Sequence, residues 1–210
     1  AYCQSLRQKA DRYGMYVEGI IGPPREASDL ERFERQIETA ARIGVKAVRT
    51  VIIPGRRYEF FDSIETFREF DARGRRALER AVPIVEKHRV PLAVENHKDH
   101  RIAQRVALLE HIDSEYVGAC IDTGNNLALL EDPVELTKAL APWAKSVHLK
   151  DQAVREYEDG FLLGDVPLGQ GCIDLKAIVE ILRNQCPDIR FSLELITRDA
   201  LKVPCLTEPY

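Results

Sequence analysis

Short apolar runs alternate along the chain with longer segments whose apolar residues recur at helical spacing. The first run is 13–20 (YGMYVEGI), and a helical pattern follows over 28–43, with Leu30, Phe33, Ile37, Ala40 and Ala41 on one face. Ser28, with Glu31 three residues on, predicts the N-cap of this helix, and Gly44 its end. Residues 45–53 (VKAVRTVII) read as a strand that Pro54-Gly55 breaks. The amphipathic segment 62–88 comes next, and Gly74 is expected to divide it. Strands at 91–95, 117–121, 145–149 and 189–195 then alternate with helices at 101–111, 133–140 and 174–183, the last capped by Asp174. Residues 152–172 read as a long loop. No strand-like run precedes Tyr13, and the chain opens on what looks like the tail of a helix.

Strands that are apolar almost throughout belong to a parallel sheet buried on both faces. An open doubly wound sheet and a (β/α)8 barrel both satisfy that pattern. No internal repeat and no linker is visible, so residues 1–210 read as a single domain. Composition narrows the function classes. With 45% apolar and 30% charged residues, the chain is neither fibrous nor disordered. No apolar run has the roughly 18 residues that span a bilayer, so no membrane is expected. The net charge of -4 gives no general attraction to nucleic acid. Five cysteines without CxxC spacing read as small buried hydrophobes of a reducing, cytoplasmic setting.

Charge on strands that should be apolar is the informative feature. Glu95 closes PLAVE, Asp122 follows VGACI, His148 lies near the end of KSVHL, and Glu194 near the end of RFSLEL. Their separations are 27, 26 and 46 residues. A (β/α)8 barrel spends about 30 residues per unit, so 27 and 26 are one unit each and 46 is one unit carrying the 152–172 loop. Four successive strands would then each present one metal-type ligand at the same rim. Strand ends converge only in a closed barrel, which a shared site therefore favours. Three carboxylates and an imidazole repel or protonate without a counter-charge, and one divalent cation supplies it. Oxygen-rich ligation with one nitrogen suits manganese, magnesium or cobalt, with zinc also admissible.

At these residues the sequence resembles the xylose-isomerase-like TIM barrels, the superfamily of sugar isomerases and epimerases, inosose dehydratases and endonuclease IV. The matching stretches are AVENH (93–97), CIDTGN (120–125), SVHLKD (146–151), VPLGQGCID (166–174) and LELITRD (193–199). The resemblance implies a metal held by Glu95, Asp122, His148 and Glu194. It implies proton abstraction next to a carbonyl, with Glu95 and Glu194 as the two proton carriers of a sugar, sugar phosphate or polyol isomerase or epimerase. A dehydratase acting on an inosose or dehydroshikimate would use the same residues. An endonuclease-IV-like nuclease fits less well, because Asn125 and Pro167 stand where its further zinc-binding histidines are needed. A non-catalytic barrel relative is the remaining alternative. His97, Asn125, Lys150 and Arg198 are the candidates for substrate contact, with Lys150 and Asp151 alternatively paired to each other. Gly164, Gly169 and Gly171, ahead of a helix, could cradle a phosphate or simply form a tight loop. The expected partner is a small sugar or polyol, with a homo-oligomer left open. Only six of eight βα units are visible, so the barrel is expected to be truncated at both ends.

Overall fold

The computed structural model describes residues 2–196, 198–208 and 210; Thr197 of the LELITRD stretch lies outside them. Helix α1 (Tyr2–Arg12) leads into β1 (Gly19–Ile20), far shorter than the apolar run that contains it. Helix α2 (Leu30–Ile43) is entered through a 3-10 turn at Ala27–Asp29. Ser28 therefore lies inside the turn and not at the cap, and the Asp29 carboxylate accepts the Glu26 N–H at 3.0 Å. After β2 (Val48–Thr50) come the short α3 (Arg57–Phe60) and the long α4 (Ile64–His88), with Ser63 at its N-cap. Gly74 does not divide α4. A Cβ there would lie 2.2 Å from Ile52 Cγ2, so glycine lets the helix approach that side chain closely.

The chain continues through β3 (Leu92–Glu95), α5 (Ile102–Ile112), β4 (Val117–Asp122), α6 (Pro133–Leu140) and β5 (Ala144–Leu149). The segment expected to be a loop is instead a hairpin, β6 (Asp151–Tyr157) and β7 (Gly160–Val166). Helix α7 (Leu175–Gln185) then leads to β8 (Phe191–Leu193) and β9 (Leu201–Val203). Strands β1, β2, β3, β4, β5 and β8 form one parallel sheet in that order, and β9 joins the hairpin in a second, antiparallel sheet. Tyr58, Leu129, Leu163 and Val203 seat this small sheet against α3 and the turn at Asn125–Leu129.

The parallel sheet is a curled half-barrel. Tyr16, just ahead of β1, and Ser192, on β8, come from opposite edges of the sheet, yet their hydroxyls lie 2.6 Å apart. Side chains alternate across it, with one register shift between β4 and β5 at Ala119 and Cys120. Leu92, Val94, Ala119, Ile121 and Val147 face the helices and belong to the two large hydrophobic clusters. Ala47, Ala93 and Cys120 form a separate cluster of small residues on the inner face. Glu95, Asp122, His148 and Glu194 each lie two positions beyond an inner-face residue: Ala93, Cys120, Ser146 and Ser192. Pleat parity therefore turns all four inward at one end. The five cysteines are free thiols, but only Cys120 is buried, and Cys172 is exposed. No helix among the described residues is long and apolar enough to cross a membrane.

Candidate metal centre and its cavity

The ligand atoms of Glu95, Asp122, His148 and Glu194 all lie within 4.8 Å of one another. A flat sheet would separate β3 from β8 by three strand spacings, roughly 14 Å. Curling brings these ends together. Glu95 and Asp122 are completely buried, whereas His148 and Glu194 keep some exposure. His148 Nδ1 faces Glu194 Oε2 at 2.7 Å and Glu95 Oε1 at 3.9 Å.

The carboxylates are not wholly uncompensated, as the sequence alone suggested. Arg49 on β2 pairs with Glu95 Oε2, and Lys150 Nζ lies 2.9 Å from Asp122 Oδ2 and 3.2 Å from Glu194 Oε1. Arg49 escaped the sequence reading because one arginine within VKAVRTVII looks like an interruption. Its parity with Ala47 was the signal that it points inward.

The donor set still fits a divalent ion. Asp122 spends Oδ1 on the backbone N–H groups of Gly124 and Asn125, both at 3.0 Å, leaving Oδ2 for the centre. Asp122 Oδ2 and His148 Nδ1 are buried without an aligned hydrogen-bond partner, although charged groups stand close to both. Buried atoms of that kind are costly unless something else engages them. Burial, with Asp122 adding to it, pushes the Glu95 carboxyl up to about 7 against the pull of Arg49. Glu194 is held down at about 2, chiefly by the His148 ring and also by Lys150, despite partial burial. Burial opposes protonation of His148, but Glu194 and Glu95 outweigh it and raise its pKa. Lys150 is likewise raised: Asp122 and Glu194 overcome its burial.

The surrounding loops are held by buried hydrogen bonds. Asn96 clamps the ends of β3 and β4, donating to the Asp122 carbonyl at 2.9 Å and accepting the Asp122 N–H at 2.8 Å. Asp99 accepts the His97 and His100 N–H groups and two bonds from Arg105, which also donates to the Glu95 carbonyl. None of Asn96, Asp99, His100 or Arg105 stood out in the sequence, since each looks like ordinary loop or helix polarity.

A cavity of about 230 Å³ opens beside the centre and is lined by His97, Lys98, Lys150, Glu194, Arg56 and Arg198 among others. Three candidate substrate contacts, His97, Lys150 and Arg198, thus share one cavity with Glu194. Burial, reinforced by Lys98, lowers His97 to about 4, so its ring is neutral at pH 7. Asn125 is placed differently. It is buried, with its amide nitrogen donating to the Asn96 carbonyl at 3.0 Å and its oxygen accepting from Lys98. Lys150 does not pair with Asp151. The Asp151 carboxylate instead accepts the N–H groups of Gly169 and Gly171, at 2.9 and 2.8 Å. The glycine turn thus already cradles an anion, one supplied by the chain. A Cβ on Gly171 would lie 2.1 Å from Asp151 Oδ1, which explains the glycine there.

Comparison with known proteins bears on this centre. Over 185 residues the chain is 28% identical to the 3-oxo-isoapionate decarboxylase of Pectobacterium atrosepticum, covering 87% of this chain and 62% of that protein. The chain therefore spans less than two thirds of that relative's length. A xylose isomerase-like TIM barrel protein from Mycobacterium smegmatis, solved in complex with magnesium, superposes with a TM-score of 0.66 at 18% identity, over 95% of this chain and 72% of that one. An L-ribulose 3-epimerase superposes with a TM-score of 0.69 at 18% identity, over 95% and 68%. The profile of the xylose isomerase-like TIM barrel family matches residues 1–208, and the chain belongs to that family.

Proposed function

We propose that this site is the metal centre of a sugar-processing enzyme that moves a proton at a carbon next to a carbonyl, as an isomerase or epimerase does. The observation that carries the reading is the convergence of three carboxylates and an imidazole beside a cavity into which only Glu194 of the four opens. A divalent ion held by Glu95, Asp122, His148 and Glu194 would supply Lewis-acid polarisation of the carbonyl oxygen. Manganese, magnesium or cobalt suits the oxygen-rich set, and zinc would accept the imidazole.

The remaining chemistry belongs to the chain. Glu194 lines the cavity and takes the α-proton. His148 and Lys150 fix its carboxylate from two sides. Glu95 is the second proton carrier; Arg49 holds Oε2, and Oε1, which accepts a long 3.4 Å bond from the Asn125 amide, is left to ligate or to carry a proton. Glu194 is the first base because it opens on the cavity, whereas Glu95 is fully buried behind it. Neutral His97 hydrogen-bonds a substrate hydroxyl. The substrate belongs to the small sugars and their derivatives, a choice in keeping with the fold shared with an epimerase.

A second reading comes from the decarboxylase relative. Cleavage of the bond to the carboxylate of a 3-oxo acid releases carbon dioxide and leaves the electron pair on carbon next to a carbonyl, where a proton must be delivered. The same residues would serve, with Glu95, whose carboxyl burial pushes up to about 7, as the proton donor. Exchange of the α-proton with deuterated solvent across ketoses, in manganese-loaded protein, separates the two. Proton abstraction predicts exchange that falls by about 10²–10⁴-fold in Glu194→Gln. Carbon dioxide release from a 3-oxo sugar acid without exchange on any ketose selects decarboxylation, and elimination of water selects the dehydratase. Metal binding with none of these identifies a non-catalytic relative.

A further inference from the structure

Four cations line the cavity, and two have anionic partners. Lys150 is bonded to Asp122 and Glu194, and Arg56 pairs with Glu59. Lys98 differs. It is only 5% exposed, and among the described residues its ammonium, with three donors, bonds only to the neutral Asn125 amide oxygen. Its backbone is also in the left-handed region, at φ 62°, where a non-glycine residue is strained. Burial, with smaller contributions of like charge from Lys150 and Arg198, lowers its pKa to about 8 despite the opposing Asp122 and Glu95. Lys98 is still mostly a cation at pH 7. Arg198, exposed, lines the same cavity with a guanidinium that can meet a carboxylate through two parallel N–H bonds. Burial, strain and like charge thus converge on one lysine, and Asp122 and Glu95 offset them only from a distance, with no bond to either among the described residues.

We propose that Lys98 and Arg198 form an anion subsite for a carboxylate carried by the substrate, which is therefore a sugar acid and not a neutral sugar. This rests on reading the neighbouring centre as that of a sugar-processing enzyme. A carboxylate suits the geometry better than a phosphate. The backbone cradle typical of phosphate sites, the turn with Gly169 and Gly171, is filled by Asp151, and the cations of this cavity are a lysine and an arginine, whose planar fork suits a carboxylate.

The test is calorimetric titration of the chain, in magnesium buffer, with D-xylonate, xylitol and D-xylulose 5-phosphate. Xylonate should bind at least about tenfold more tightly than xylitol, the scale of one charge-assisted contact. Lys98→Met should remove that preference, and Arg198→Met, at an exposed position, should reduce it even if the Lys98 variant folds poorly. Equal affinity for acid and polyol, undetectable binding of xylonate, tighter binding of the phosphate, or a preference that survives both substitutions would overturn the proposal. Manganese titration of the same proteins separates the two layers. A wild-type chain that prefers xylonate but binds no manganese sinks the metal-enzyme reading and leaves the subsite standing. Variants that bind manganese normally yet lose the preference place the effect in the subsite.

Discussion

Arg105 lies fully buried on α5, and both oxygens of Asp99, also fully buried, accept from one of its nitrogens at 2.8 and 2.9 Å. Removing one member of such a pair leaves an uncompensated charge, at a cost of about 3–5 kcal/mol. Arg105→Met should therefore lower stability by about that amount in urea denaturation, and a loss below about 1 kcal/mol would show the pair to be dispensable. Burial disfavours ionised Asp99, but Arg105 and His100 outweigh it and depress its pKa. Its contribution is thus present above the unfolded value, about 3.9, and lost as pH falls through the folded one. His100 has the opposite sign. Burial works against its charge, but Asp99 and the Asp71 carboxylate at 2.6 Å raise its pKa, so its contribution is full below about pH 6.5 and fades as pH rises through the folded value. The cost of Arg105→Met should accordingly shrink in acid, where Asp99 in the variant can protonate. At this scale the sequence was legible where a residue broke its element's pattern, as the four candidate ligands do on apolar strands. It was silent about Asn96, Asp99 and Arg105, whose worth lies in partners that only folding assembles.

Among the elements, the long helix tests how far local preference decides structure. Gly74 costs α4 about 1 kcal/mol relative to alanine in helix propensity alone, and on that ground Gly74→Ala should stabilise. The 2.2 Å approach of its missing Cβ to Ile52 Cγ2 argues the reverse, since overpacking a buried site costs about 1–3 kcal/mol. Ile52 is fully buried in the first core cluster and branched at Cβ, so it has little room to turn away. Gly74→Ala should then lose up to about 2 kcal/mol, read as an earlier urea midpoint. A later midpoint would show that α4 can shift away from Ile52. The same tension explains why the sequence suggested a break here: glycine marked a close approach, not an interruption. Most helices and parallel strands were legible because their apolar periodicity reports burial directly. The β6–β7 hairpin was not, because β6 (DQAVREY) is dominated by polar and charged residues and shows no apolar alternation. Its one signal was Asp159-Gly160, which straddles the end of the two-residue turn Glu158-Asp159 and the first residue of β7.

The whole molecule joins two hydrophobic clusters through one sheet. The first packs α2 and α4 on β2 and β3; the second packs α6 and α7 on β4 and β5. Glu95 comes from a strand of the first, while Asp122 and His148 come from strands of the second, so an ion bound to all of them would tie the two halves together across the inner face. The unfolded chain has no such arrangement, because the ligands are tens of residues apart in sequence. Binding to the folded state alone stabilises by about 2.7 kcal/mol when the free ion is at 100 times its dissociation constant. For a chain of this size each kcal/mol is worth about 2–4 °C, so manganese at that excess should raise the melting temperature by about 5–10 °C in scanning calorimetry. His148→Ala and Asp122→Asn should each remove most of that increment, whatever they do to stability in chelator, because the comparison is made within each protein. Lys98→Met should keep it, since Lys98 bonds to Asn125 and not to a ligand. An increment of the same size in all the variants would place the bound ion elsewhere on the chain. No increment in the wild type at millimolar manganese would mean that Arg49 and Lys150 already satisfy the carboxylates, leaving a barrel whose rim is held by ion pairs alone.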